Sequence, residues 1–120
     1  MLSAELLVDL WIAGFLIAAV LQTVLQKQLS SETSWGFASG WQREIAFWNI
    51  GITGLVISLR MSLPAPDPAI LPALALLSLL LGTNHLISAT KDPKKTGHWV
   101  GVAGNFLGVI LYLLFVITRL

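Results

Sequence analysis

Two histidines, a glutamate and two asparagines are the side chains here best suited to chemistry. They are His85, His98, Glu44, Asn49 and Asn105, and each lies in or beside a long apolar run. Polar groups in hydrocarbon are costly, so each asks for a partner or a purpose. A carboxylate and an imidazole at one depth can pass protons or bind a cation. Two histidines could also hold a haem iron from opposite sides, with facing glycines leaving room for the flat ring. A closed divalent metal site needs more ligands than Glu44, His85 and His98 offer, unless amides or water complete it. Metal and cofactor therefore stay unassigned. No nucleophile–base arrangement, phosphate-binding loop or glycosidase-type carboxylate pair accompanies these residues, so the pattern leans away from an enzyme and toward binding.

The elements that must position them follow from composition. The chain has 120 residues, of which 56% are hydrophobic and 11% charged, and its mean hydropathy is +0.82. A soluble domain usually has about a quarter of its residues charged, and one of this size has no interior able to hide so much apolar side chain. The excess is expected to face a lipid bilayer. A net charge of +1 gives no bulk case for nucleic acid or for a polybasic lipid-binding surface. Cysteine is absent, which removes disulfide, thiolate-metal and thiol redox chemistry.

Four apolar segments, about 4–26, 42–61, 69–90 and 97–118, each have the roughly 20 residues needed to cross a bilayer. The expected fold is a single all-α transmembrane domain, an antiparallel four-helix bundle. The first segment begins with Glu5 and Asp9 where a signal peptide needs positive charge, so it is expected to be retained. Residues 27–41 read as a polar Ser- and Gly-rich loop, with Trp35 and Trp41 as interfacial anchors; a short amphipathic piece on the membrane is the alternative. The stretch Leu63-Pro-Ala-Pro-Asp-Pro68 cannot continue a helix and makes a stiff turn. Residues 91–96 are the most charged loop. Lys27, Arg43, Lys91, Lys94 and Lys95 lie on the side of loops one and three, against Arg60 and Arg119 on the other. The positive-inside rule then puts those two loops in the cytoplasm and both termini outside, in a membrane expected to be the bacterial inner membrane.

Up-and-down topology brings the start of span two, the end of span three and the start of span four to one side. Glu44, His85 and His98 are expected there at similar depth, level with Gln22 and Gln26, with Asn49 and Asn105 one to two turns deeper. Helical spacing puts His98, Gly101, Asn105, Gly108 and Tyr112 on one face, Ser78, Gly82 and His85 on another, and Glu44, Trp48, Gly51 and Ser58 on a third. Gly51, Gly54, Gly82, Gly101, Gly104 and Gly108 are the expected points of close helix approach, and the polar residues would bond across them. The bland alternative is that the asparagines and Tyr112 only join helices, that Glu44 caps span two, and that His98 is interfacial.

Gly40-Trp41, followed by Gln42-x-Glu44-x-Ala46-x-x-Asn49-x-Gly51-x-x-Gly54, resembles the signature of an uncharacterised bacterial family of small four-helix integral membrane proteins. Gly82 with His85, and Gly101 to Gly108, are similar to that family's later motifs. The broader architecture resembles the DoxX-like membrane proteins. The resemblance implies four spans and this choice of residues, and it brings no activity. Small multidrug exporters are a poorer comparison, because they place a glutamate in the middle of span one, where this chain has none. The expected function is binding of a small ligand, cofactor or partner subunit in a polar pocket near the cytoplasmic face. A proton-coupled small transporter and a redox subunit holding haem or quinone are the alternatives, and a homo-oligomer or a place in a larger membrane complex is expected.

Overall fold

Charge-free apolar runs bounded by proline turns and charged loops become helices in the computed structural model, which describes residues 2–119. Four are long and apolar enough to cross a membrane: α1 (Ala4–Thr23), α3 (Ser39–Ser62), α4 (Asp67–Lys91) and α5 (Thr96–Ile117). A short helix, α2 (Gln26–Ser31), follows α1. No strand occurs among the described residues. The Ser3 side chain accepts the Leu6 N–H at 3.1 Å, capping α1, which satisfies one of the donors a helix start leaves free. Between α3 and α4 the prolines stop one helix and start the next. Ala65 in this turn has φ +48°, a left-handed conformation that costs a residue with a Cβ about 1 kcal/mol.

α1 is the hub. Its partners are α3 on one side and α4 on the other, and α5 packs chiefly against α4. The order α3–α1–α4–α5 flattens the bundle, which measures 42 × 28 × 18 Å. At the end near the α3–α4 turn, Leu7, Val8, Trp11, Val56, Leu71, Leu74 and Phe115 form a core to which all four long helices contribute. Further along, Trp11 donates its indole N–H to Ser78 Oγ at 2.8 Å, and a Cβ on Gly108 would stand 3.1 Å from the Trp11 ring. Glycine there lets α5 close over the indole.

One guanidinium ties three helix ends. Arg60, in the last turn of α3, donates from Nη1 to Asp9 of α1 at 2.6 Å. Its Nε and Nη2 form a fork on Asp67, at 2.9 and 2.7 Å, and Nη2 also reaches the Glu5 carbonyl oxygen at 3.2 Å. Planar bidentate geometry is what makes arginine suit a carboxylate. Asp67 is only 4% exposed and also lies in the first turn of α4, where a negative charge favours the helix N-terminus. In the sequence Arg60 stands out only as a topological charge and Asp9 only as an acidic residue at the start of the first segment; the two meet because α1 and α3 run antiparallel.

The two carboxylates differ in burial, so their loss is expected to differ. Asp67→Asn leaves a fork without its buried acceptor and should cost about 3 kcal/mol. The Asp9 side chain is 60% exposed, and Asp9→Asn should cost under about 1 kcal/mol. Thermal unfolding of the two variants in mild detergent checks this, and equal losses would contradict the assignment.

Candidate functional site

Each candidate side chain is placed by which neighbour covers its helix face. On α3, Gln42, Ala46, Thr53 and Val56 are buried and Asn49 is half-buried, which marks the stripe turned toward α1. At about 100° per residue, Glu44 lies roughly 180° from Thr53. Glu44 is accordingly exposed. It heads an outward groove of about 440 Å³ lined by Glu44, Phe47, Trp48, Gly51, Ile52 and Leu55, all from α3. The expected meeting of Glu44 with the histidines does not occur. They share an end of the molecule, but α3 packs on α1, whereas the histidines lie on α4 and α5.

The histidines do meet each other, with a third ring that sequence reading took for a membrane anchor. Trp35 packs against His85 and His98 with centroids 4.8 and 4.7 Å apart. Its indole N–H donates to Ser88 Oγ at 2.9 Å. His98 is fully buried. Its Nε2 receives the Ser34 backbone N–H at 2.9 Å and lies 2.8 Å from Ser34 Oγ. A backbone N–H can only donate, so Nε2 is unprotonated and the neutral ring keeps its proton on Nδ1. That nitrogen faces His85 Nδ1 at 3.4 Å, a long contact that needs His85 to be protonated at Nε2 instead. The two rings are 5.7 Å apart and tilted by 55°. Axial haem ligands must approach an iron from opposite faces of a macrocycle; these rings bond directly to one another, and the gap for a flat ring expected between them is filled.

Loop one is therefore a docked lid and not a free linker. The Gly97 N–H donates to the Glu32 carbonyl oxygen at 2.9 Å, Lys95 Nζ donates to the Ser31 carbonyl oxygen at 2.7 Å, and Thr96 Oγ1 bonds the Glu32 carboxylate. Gly36, at φ +76°, turns the chain back after Trp35 in a conformation glycine adopts freely. A Cβ on Gly97 would stand 2.7 Å from the Glu32 carbonyl oxygen, and one on Gly101 would stand 2.5 Å from the His85 ring. The missing side chain at Gly97 makes room for the lid backbone, and the one at Gly101 for the imidazole on which the lid's Trp35 packs.

The remaining candidates have contacts of their own. Asn105 donates from Nδ2 to the Gly101 carbonyl oxygen at 2.8 Å, within its own helix, and its Cβ packs on Gly82. The Asn49 carbonyl oxygen accepts from Thr53 Oγ1 at 2.9 Å. Tyr112 is half-buried against the apolar core near the opposite end. The Oε1 atoms of Gln22 and Gln42 are buried and have no donor among the described residues. Gly82, Gly101 and Gly108 lie at close contacts as expected, but among the described residues no packed neighbour comes within 4 Å of a Cβ on Gly51, Gly54 or Gly104. No trio of His, Asp or Glu able to hold a metal ion occurs among the described residues. No signal in the sequence marked Ser34 or Ser88. Trp35 was visible only as an aromatic near an apolar run.

No family model, curated protein or solved structure matches the chain.

Two pairs of variants test this placement. Gly101→Ala should destabilise by about 1–3 kcal/mol because the His85 ring has to move, whereas Gly104→Ala should change stability by less than about 0.5 kcal/mol; denaturation in detergent reads both. His98→Phe keeps an aromatic ring against Trp35 but removes the acceptor for Ser34. Amide exchange at Ser34 should then accelerate, while His85→Phe, which leaves that acceptor in place, should affect it less.

Proposed function

We propose that the chain is an integral membrane protein of four spans that works by binding, and that its binding surface is the outward face of α3. The observation that carries this reading is Glu44. It is exposed at the centre of the face opposite α1, about 7–8 Å along α3 from Ser39, with no hydrogen bond or ion pair among the described residues. A carboxylate turned toward hydrocarbon is expensive and calls for an occupant. Trp48 beside it is 67% exposed, and Gly51 leaves the groove floor open. The polar pocket expected around the histidines is a poorer candidate, since His98 is sealed under loop one. The outward face of α5 is the contrast: Val100, Leu107, Ile110, Leu113 and Ile117 are exposed there, a surface suited to lipid alone.

The orientation proposed is that of the charge bias, with loops one and three cytoplasmic in a bacterial inner membrane. Arg60 is ion-paired to Asp9 and Asp67, which leaves the basic residues of loops one and three as the main topogenic charge. Membership of the small four-helix family that the Gly40 to Gly54 motif resembles remains part of this proposal. Proton-coupled transport is the second reading, favoured by the same free carboxylate at the head of a groove.

The cysteine-free sequence makes the test clean. A membrane-impermeant maleimide should label Lys94→Cys from the cytoplasmic side and Ala65→Cys from the other; labelling of both from one side would sink the four-span arrangement. In mild detergent the purified protein should carry bound mass beyond a single chain, and Gly51→Ile should lose it while keeping its melting temperature. A bare monomer would sink the binding reading. Transport activity that survives Glu44→Gln would count against the proton-coupled version.

A further inference from the structure

We infer that the occupant of the α3 face is a second copy of this chain, the two α3 helices packing in parallel about a two-fold axis. The inference rests on the binding reading above and names its partner.

The spacing of the exposed residues carries it. Gly40, Glu44, Phe47, Gly51, Gly54, Ser58 and Met61 recur at alternating steps of four and three. All are exposed. This is the period of a coiled-coil seam, in which each residue of one helix enters a hole formed by four residues of the other. If Glu44 and Gly51 occupy the first position of successive heptads, the hole facing Glu44 is formed by Gly40, Arg43, Glu44 and Phe47 of the second copy. Arg43 is exposed and has no hydrogen bond or ion pair among the described residues. Each Glu44 thus meets the Arg43 of the other chain, and two complementary pairs offset the repulsion between the two carboxylates. The flanking position five residues on from Arg43 is Trp48. In a parallel pair these two flanks face each other across the seam, which places a guanidinium over an indole. Deeper in the membrane, Gly51, Gly54 and Ser58 let the two backbones approach.

Two further observations fit this occupant. A parallel pair in one membrane needs both chains in the same orientation, and a two-fold contact uses the same patch on each, so no second surface is required. The face is also open along its length, because α3 packs chiefly on α1 and these seven residues are all exposed.

Single-cysteine variants oxidised in native membranes test the geometry. Ser58→Cys, which is nearly isosteric, and Gly51→Cys should form disulfide-linked dimers. Thr53→Cys, turned toward α1, and Leu107→Cys, on the lipid face of α5, should not. Charge exchange tests the pairing: Arg43→Glu alone and Glu44→Arg alone should lose the dimer, and co-expression of the two variants should restore it as a mixed pair. Cross-linking at Leu107→Cys but not Ser58→Cys, or failure of co-expression to restore the dimer, would overturn the inference. If the bound mass proves to be lipid, a small molecule or another polypeptide, the two-fold pair falls and the binding reading stands. If there is no bound mass, both fall.

Discussion

Lipid tails are as apolar as leucine, so helices in a bilayer gain little by burying apolar side chains against one another. What would hold them there is close packing and polar contact; this chain has four helices long and apolar enough to cross a membrane, and in it both are concentrated at particular levels. At one end Arg60 gathers α1, α3 and α4. At the other, loop one lies over α4 and α5 through Trp35, Ser34 and the two imidazoles. Between them, among the described residues, the polar tie from α1 to α4 is a single indole–hydroxyl bond, Trp11 to Ser78. The fold is two polar clasps joined by a thin apolar middle, and α1 is the strut common to both halves.

That arrangement treats the four helices unequally. α4 and α5 meet along glycine positions where a methyl group has no room, at Gly82 and Gly101, and Gly108 admits Trp11 to the same contact. α3 is held by one neighbour and by Arg60. The glycines of α3 and those of α5 therefore answer to different pressures, although they look alike in the sequence. Gly101 is fixed by an imidazole lying against it, whereas among the described residues no packed neighbour comes within 4 Å of a Cβ on Gly51 or Gly54. A carboxylate at the head of those open glycines gives α3 its distinct outward character.

The four long helices were legible because their boundaries are written in charge and proline: Glu5 and Asp9, Leu63 to Pro68, Lys91 to Lys95. The stripes on α4 and α5 were legible too, since Ser78, Gly82 and His85 obey helical spacing and do meet α1 or α5. The stripe through Glu44, Trp48, Gly51 and Ser58 was equally regular, but spacing says which residues share a face and not which neighbour that face meets. With α3 packed on α1 and set apart from α5, the stripe turned outward and the expected cluster separated into a sealed histidine pair and a free glutamate. The Arg60 clasp was hidden for a related reason: its partners come from segments far apart in sequence. Loop one was hidden because half of the bonds that seat it use a backbone group, which carries no residue-type signal, and the others join segments far apart in sequence.

The seating of loop one also sets an order of assembly. Ser34 bonds His98, 64 positions later in the chain, and Gly97 returns a bond to Glu32. A chain made from its N-terminus completes loop one long before α5 exists. During that interval Ser34 and Glu32 have no seat, and Trp35 lacks half of its aromatic contacts. The α4–α5 hairpin, by contrast, can close through contacts near in sequence as soon as its second helix emerges. Loop one can settle only after that closure, so its docking registers that the last helix has arrived.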